Sequence, residues 1–177
     1  MATGVSDNVA ASHHSWMLGL ILGALLTVAS ARTQTQPPDL PWRFRRSVDP
    51  MTDEVTARLL KTGQAINVGG SWKIPTLSAS CYGTFFQIEV QFNFPLDTLG
   101  GLTETRVRID QAPLNEERWG VSGTNAFSLQ RALLLDQLLR AKTLRVQVRG
   151  EDGVSYIASF NVAGLRKELP KLPCISQ

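Results

Sequence analysis

The sequence predicts a mainly β domain, with α+β as the alternative: a small antiparallel, sandwich-like fold carrying one inserted helix and a short C-terminal helix. Three observations carry that expectation. From Phe86 to Phe94 the even positions are apolar (Phe86, Ile88, Val90, Phe92, Phe94) and the odd ones polar (Gln87, Glu89, Gln91, Asn93), a period of two that buries one face of a strand and wets the other. The same alternation returns in Thr143–Arg149, with Leu144, Val146 and Val148 inward and arginines outward. Helical spacing of leucines, by contrast, is clear in a single long stretch.

In chain order, Trp16–Val28 is an apolar run of 13 residues followed by Ala29-Ser30-Ala31. An apolar core of that length ending in a small-residue triplet is the pattern of a secretory leader cut after Ala31. It falls short of the roughly 20 residues that span a bilayer as a helix. The first 15 residues hold no Lys or Arg, so a second reading stands: residues 1–31 stay on as a short anchor, with membrane contact through residues 16–31. Residues 32–41 are polar with a Pro37-Pro38 pair and read as an extended linker. Residues 42–177 then form a single domain, and a periplasmic or secreted location follows.

Trp42 and Phe44 alternate with Arg43 and Arg45, which suits a first strand at a sheet edge that charge keeps soluble. Asp49-Pro50-Met51-Thr52-Asp53-Glu54 is a turn signal. Its three acids lack calcium-loop spacing, and Asp49 is expected to cap the turn. Val55–Leu60 reads as a second strand and Ala65–Gly70 as strand end and loop. Lys73–Cys81 approaches the central strand with Leu77, Ala79 and Cys81 on one face. Leu96–Leu102 reads as irregular, Val107–Asp110 as a strand, Gln111–Asn115 as a turn and Trp119–Ser122 as a further short strand. Leu129–Ala141 is the clear helix, with Leu133, Leu134, Leu138 and Leu139 at helical spacing and Ser128 as N-cap. Gly150–Gly153 is a hairpin turn. Val154–Phe160 returns as a strand, and Gly164–Leu172 as a short helix. About seven strands in a meander result.

The two cysteines, Cys81 and Cys174, are expected to pair, because an exported chain meets an oxidising compartment. Both histidines, His13 and His14, precede the apolar run. The exported domain therefore holds no histidine, which excludes a Ser-His-Asp triad, a Cys-His dyad and a His-ligated metal. No cofactor and no metal are expected. With Asp7 in the leader and every Lys and Arg after it, 18 basic residues face 14 acids, a mild net +4. The charge is scattered, so nucleic acid is not an expected partner.

The succession Trp42, Asp49-Pro50-Met51-Thr52-Asp53, Cys81, Val107-Arg108-Ile109-Asp110, Pro113, Trp119-Gly120-Val121-Ser122, Ala126-Phe127, Leu144-Arg145-Val146, Phe160, Gly164-Leu165 and Cys174 resembles the VasI-like proteins of the proteobacterial envelope, associated with type VI secretion, and related exported domains. The resemblance spans about residues 42–174. It implies an exported, non-catalytic accessory domain with an envelope protein as partner. Trp42, Phe44 and Trp119 are the candidate partner-binding residues, with Trp119 read first as a core anchor. Arg106 and Arg108, on the outer face of their strand, would favour an acidic partner or a carboxylated glycan. An alternative from another class is a cell-wall glycan hydrolase using two carboxylates roughly 5 to 10 Å apart, drawn from Glu89, Asp110, Glu116 and Glu117.

Overall fold

The alternating segments form strands in the computed structural model, which describes residues 39–175. The predicted leader and most of the predicted linker lie outside the described residues. The order is β1 (Arg43–Val48), β2 (Val55–Thr62), β3 (Ile66–Val68), β4 (Ser71–Lys73), β5 (Thr76–Tyr82), β6 (Phe85–Gln91), β7 (Leu102–Ile109), β8 (Asn115–Ser122), β9 (Asn125–Ser128), α1 (Arg131–Leu138), β10 (Thr143–Arg149), β11 (Ser155–Asn161), α2 (Leu165–Glu168) and a 3-10 turn (Leu169–Lys171). The fold is mainly β and antiparallel, as the alternation predicts.

Nine of these strands make one antiparallel sheet in the order β1-β2-β5-β6-β9-β8-β7-β10-β11, and β3 pairs with β4 apart from it. This is not the simple meander of seven strands that the sequence suggests. The chain leaves β6, crosses the sheet, and returns through β7, β8 and β9 to pair β9 with β6, a Greek-key step. Strands β3 and β4, at three residues each, are too short to show a period. In β8 the polar start Asn115-Glu116-Glu117-Arg118 hides a strand of eight residues.

Cross-strand partners share a face, so the register identifies the core. Ala57, Cys81 and Phe86 line up across β2, β5 and β6, as do Leu59, Ala79 and Ile88. At the other end Val107, Val146 and Ala158 cross β7, β10 and β11. The sheet coils so that the segment after β2 meets β11, and Gln64 N–H donates to Ser159 O at 2.9 Å. One face thereby wraps around the core in the sandwich-like arrangement expected.

The long central strand stops at Gln91. Asn93 turns left-handed at φ 63°, and its side-chain amide donates to Ile74 O at 2.8 Å. Phe92, Phe94 and Leu96 still reach the core from the crossing segment. The leucine helix is shorter than its spacing suggests. Ser128 ends β9, buried, and its Oγ accepts the Gln130 N–H at 3.2 Å, so it does not cap α1. Of the four leucines in the stripe, Leu134 and Leu138 are buried while Leu133 is exposed.

The cysteines pair as expected: Cys81 and Cys174 form the disulfide, with 5.7 Å between Cα atoms. At the other terminus Asp39 and Leu40, assigned to the linker from sequence, are fastened to the domain. The fully buried Lys61 ammonium donates to Asp39 Oδ1 at 2.7 Å and to Leu40 O at 2.5 Å. A buried ammonium is tolerated because it has both a counter-charge and a second acceptor.

Asp110 holds the end of β7 to the start of β10. Its Oδ1 accepts the backbone N–H of Thr143 at 2.7 Å and of Lys142 at 3.0 Å, and the Thr143 hydroxyl at 3.1 Å. These bonds, the Thr143 amide foremost, hold its carboxyl below the usual range. A depressed folded pKa gives stability that is complete above the unfolded value of about 3.9 and is lost as pH falls through the folded one. Asp152 behaves likewise, through its bonds from Tyr156 and Val154. Thermal melts from pH 6 down to pH 2 should therefore fall chiefly below about pH 4, and the Asp110→Asn variant should show a shallower fall.

Candidate functional site

Two of the expected partner-binding residues belong to the core. Trp119 is fully buried on the inner face of β8, and its indole N–H donates to Glu117 Oε2 at 2.9 Å. Trp42 is 9% exposed, and its indole N–H donates to Ala163 O at 3.2 Å. Neither can offer a ring to a partner. For Trp42 this corrects the expectation, and for Trp119 it bears out the reading as a core anchor. A tryptophan's bulk drives it into the core wherever its N–H finds an acceptor there, and both find one.

Phe44 is different. It sits on β1, 40% exposed, opposite Leu59 of β2. Among the described residues strand β1 is an edge, hydrogen-bonded to β2 alone, and all six of its residues are exposed. Arg43, Arg45 and Arg46 have no acid and no hydrogen-bond acceptor within reach among the described residues. Val48 and Met51 extend the exposed apolar surface past Phe44. Arg45 stands directly opposite Arg58, a like-charge pair that disfavours the strand slightly on its own. The edge thus combines free backbone groups, apolar side chains and unmatched positive charge.

Next to it on the outer face lies a cluster that sequence reasoning missed. Arg58 stacks over the Tyr82 ring, 5.1 Å from its centroid. Tyr82 Oη and Gln87 Nε2 each donate to Glu89 at 3.4 Å. Glu89, expected on a wet face, is 8% exposed, because its row neighbours across the sheet are Ser78 and Phe127. Burial first, and then the charge of Glu89, raise the Tyr82 hydroxyl pKa. The small residues Ser78-Ala79-Ser80 were the available signal: a strand with small side chains on both faces lets its neighbours close over it.

Arg106 and Arg108 lie on the outer, exposed face of β7, as predicted. Arg106 pairs with Glu116 at 2.9 Å. Arg108 Nε donates to Ala112 O at 3.2 Å and faces Arg145 across β10. The four candidate carboxylates are not brought together. Glu89 is on β6, separated from β7 by β9 and β8, about 14 Å at the usual strand spacing. Asp110 is engaged by backbone amides. Glu116 is ion-paired outside, whereas Glu117 points inward to Trp119 and to the Asn115 amide at 2.7 Å. Asp49 caps its turn by accepting the Met51 N–H at 2.7 Å. Among the described residues no group of three or more metal-ligating side chains converges.

No protein-family model, no curated protein and no solved structure matches this chain.

Proposed function

We propose that this chain is an exported, non-catalytic binding domain that meets an envelope protein partner along the β1 edge. The leader pattern and the disulfide support export to an oxidising compartment. The resemblance to the VasI-like proteins supports an accessory role in an envelope complex, with type VI secretion as the pathway it implies. The observation that carries the reading is β1 itself, unpaired on one side among the described residues and exposed along all six of its own. Such an edge takes an added strand through main-chain hydrogen bonds, with side chains setting the choice of partner. Arg43, Arg45 and Arg46 favour an acidic strand, and Phe44 and Val48 give it apolar contacts. Trp42 and Trp119 serve as anchors of the core.

The test is cross-linked affinity purification of the tagged protein from the cell envelope, followed by mass spectrometry. The wild type should recover a stoichiometric partner, and the triple variant R43E/R45E/R46E should lose it while melting within about 3 °C of the wild type, the range for surface changes of under 1 kcal/mol. A partner retained by the triple variant, or a bait that comes down alone, would sink the reading. The mass of the bait also reports whether residues 1–31 remain.

A further inference from the structure

We infer that the cleft where the segment after β2 meets β11 binds a small free carboxylate with an apolar tail, its head held by Arg145 and its tail lying on Leu40 and Ile74. The cleft has a volume of about 420 Å³, and its lining includes Leu40, Gln64, Ile74, Lys142, Arg145 and Asn161. That volume is within the range of small-molecule sites. It exists because the sheet closes there through the Gln64–Ser159 backbone bond and no regular strand pairing.

Arg145 is the unmatched charge. Its cross-strand neighbours are Arg108 on β7 and Ser159 on β11, and no acid among the described residues pairs with it. The acids nearby are committed elsewhere. Asp39, which also lines the cleft, is held by Lys61 at 2.7 Å and by the Asn161 amide at 2.5 Å. Asp110 accepts the amides of Lys142 and Thr143, and the Lys142 charge acts on it. Two arginines placed opposite one another without a counter-ion repel, and a planar guanidinium takes a carboxylate through two parallel hydrogen bonds. Beside this head site, Leu40 and Ile74 are 44% and 53% exposed, a pair of apolar side chains left open to water next to a free cation. A head and a tail are provided for in one cleft.

The test is titration of octanoate into the purified full chain, followed by backbone NMR shifts and calorimetry, with octylammonium and inorganic phosphate as the other probes. Octanoate should bind and move the amide signals of Leu40, Ile74 and Arg145. Arg145→Gln should weaken it at least about tenfold, equivalent to roughly 1.4 kcal/mol, with the melting temperature unchanged. Octylammonium should not bind. The inference is overturned by silence towards octanoate, by equal binding of octylammonium, or by an Arg145→Gln variant that binds as well as wild type. Phosphate binding as tightly as octanoate would overturn the part assigned to the tail. Arg145-dependent co-sedimentation with phosphatidylglycerol vesicles in place of octanoate binding would overturn the assignment to a free ligand.

Discussion

Reduction of the Cys81–Cys174 bridge is expected to lower the melting temperature by roughly 12–20 °C. The bridge closes a loop of 93 residues, for which the chain-entropy relation gives about 4 to 5 kcal/mol. A domain of this size loses roughly 3 to 4 °C for each kcal/mol. The bridge ties down a tail that also packs on the core through Ile175. Leu172 is buried, and the Cys174 N–H donates to the Cys81 sulfur at 3.2 Å, so the segment after the 3-10 turn docks on β5 through the bridge. The double variant C81A/C174A should behave as the reduced protein does, and calorimetric scans with and without reductant check both. A fall of less than about 4 °C, or under roughly 1 kcal/mol, would mean that the reduced chain stays confined by other contacts.

Trp119→Ala should be of similar size, about 3 to 5 kcal/mol. Trp119 is the largest fully buried side chain among the described residues. Its removal opens a cavity in the middle of the sheet, between Thr103 of β7 and Ser128 of β9, and strips Glu117 of its indole donor. Trp119→Phe fills most of the volume and loses only that hydrogen bond, so it should cost about 1 to 2 kcal/mol. Urea unfolding followed by circular dichroism separates the two. Equal losses for Ala and Phe would place the stabilising role on the Glu117 bond and not on packing.

Either change removes a large share of the 5–15 kcal/mol typical of a native domain. Both should leave the β1 edge chemically intact, because neither touches its arginines. Loss of partner recovery in those variants would therefore track unfolding, whereas R43E/R45E/R46E should lose the partner while folded.

The period of two in residues 86–91 and 143–149 made the strands and the antiparallel class legible, because alternation is a local property that the register only has to respect. The cysteine pair was legible as well, since a sequence with two thiols leaves one simple pairing. Trp42 was misplaced because an aromatic residue at a strand end reads the same whether its ring meets Ala163 across the fold or a partner outside it. Glu89 was misplaced for a related reason: alternation tells that two faces differ, and not what lies beside each residue on the outer one. Lys61 gave no local sign of burial, because its acceptors, Asp39 and Leu40, lie more than twenty residues earlier in the chain.

By itself, then, the amino-acid order determined which residues alternate, where the chain turns and which thiols pair. All of these depend on neighbours a few positions apart or on composition. Only the tertiary structure decided which strand is left at the edge, which tryptophans are enclosed, and that Arg145 faces Arg108 beside an open cleft. Those depend on strand order and register, which come from packing the whole sheet around one core and are not contained in any single segment.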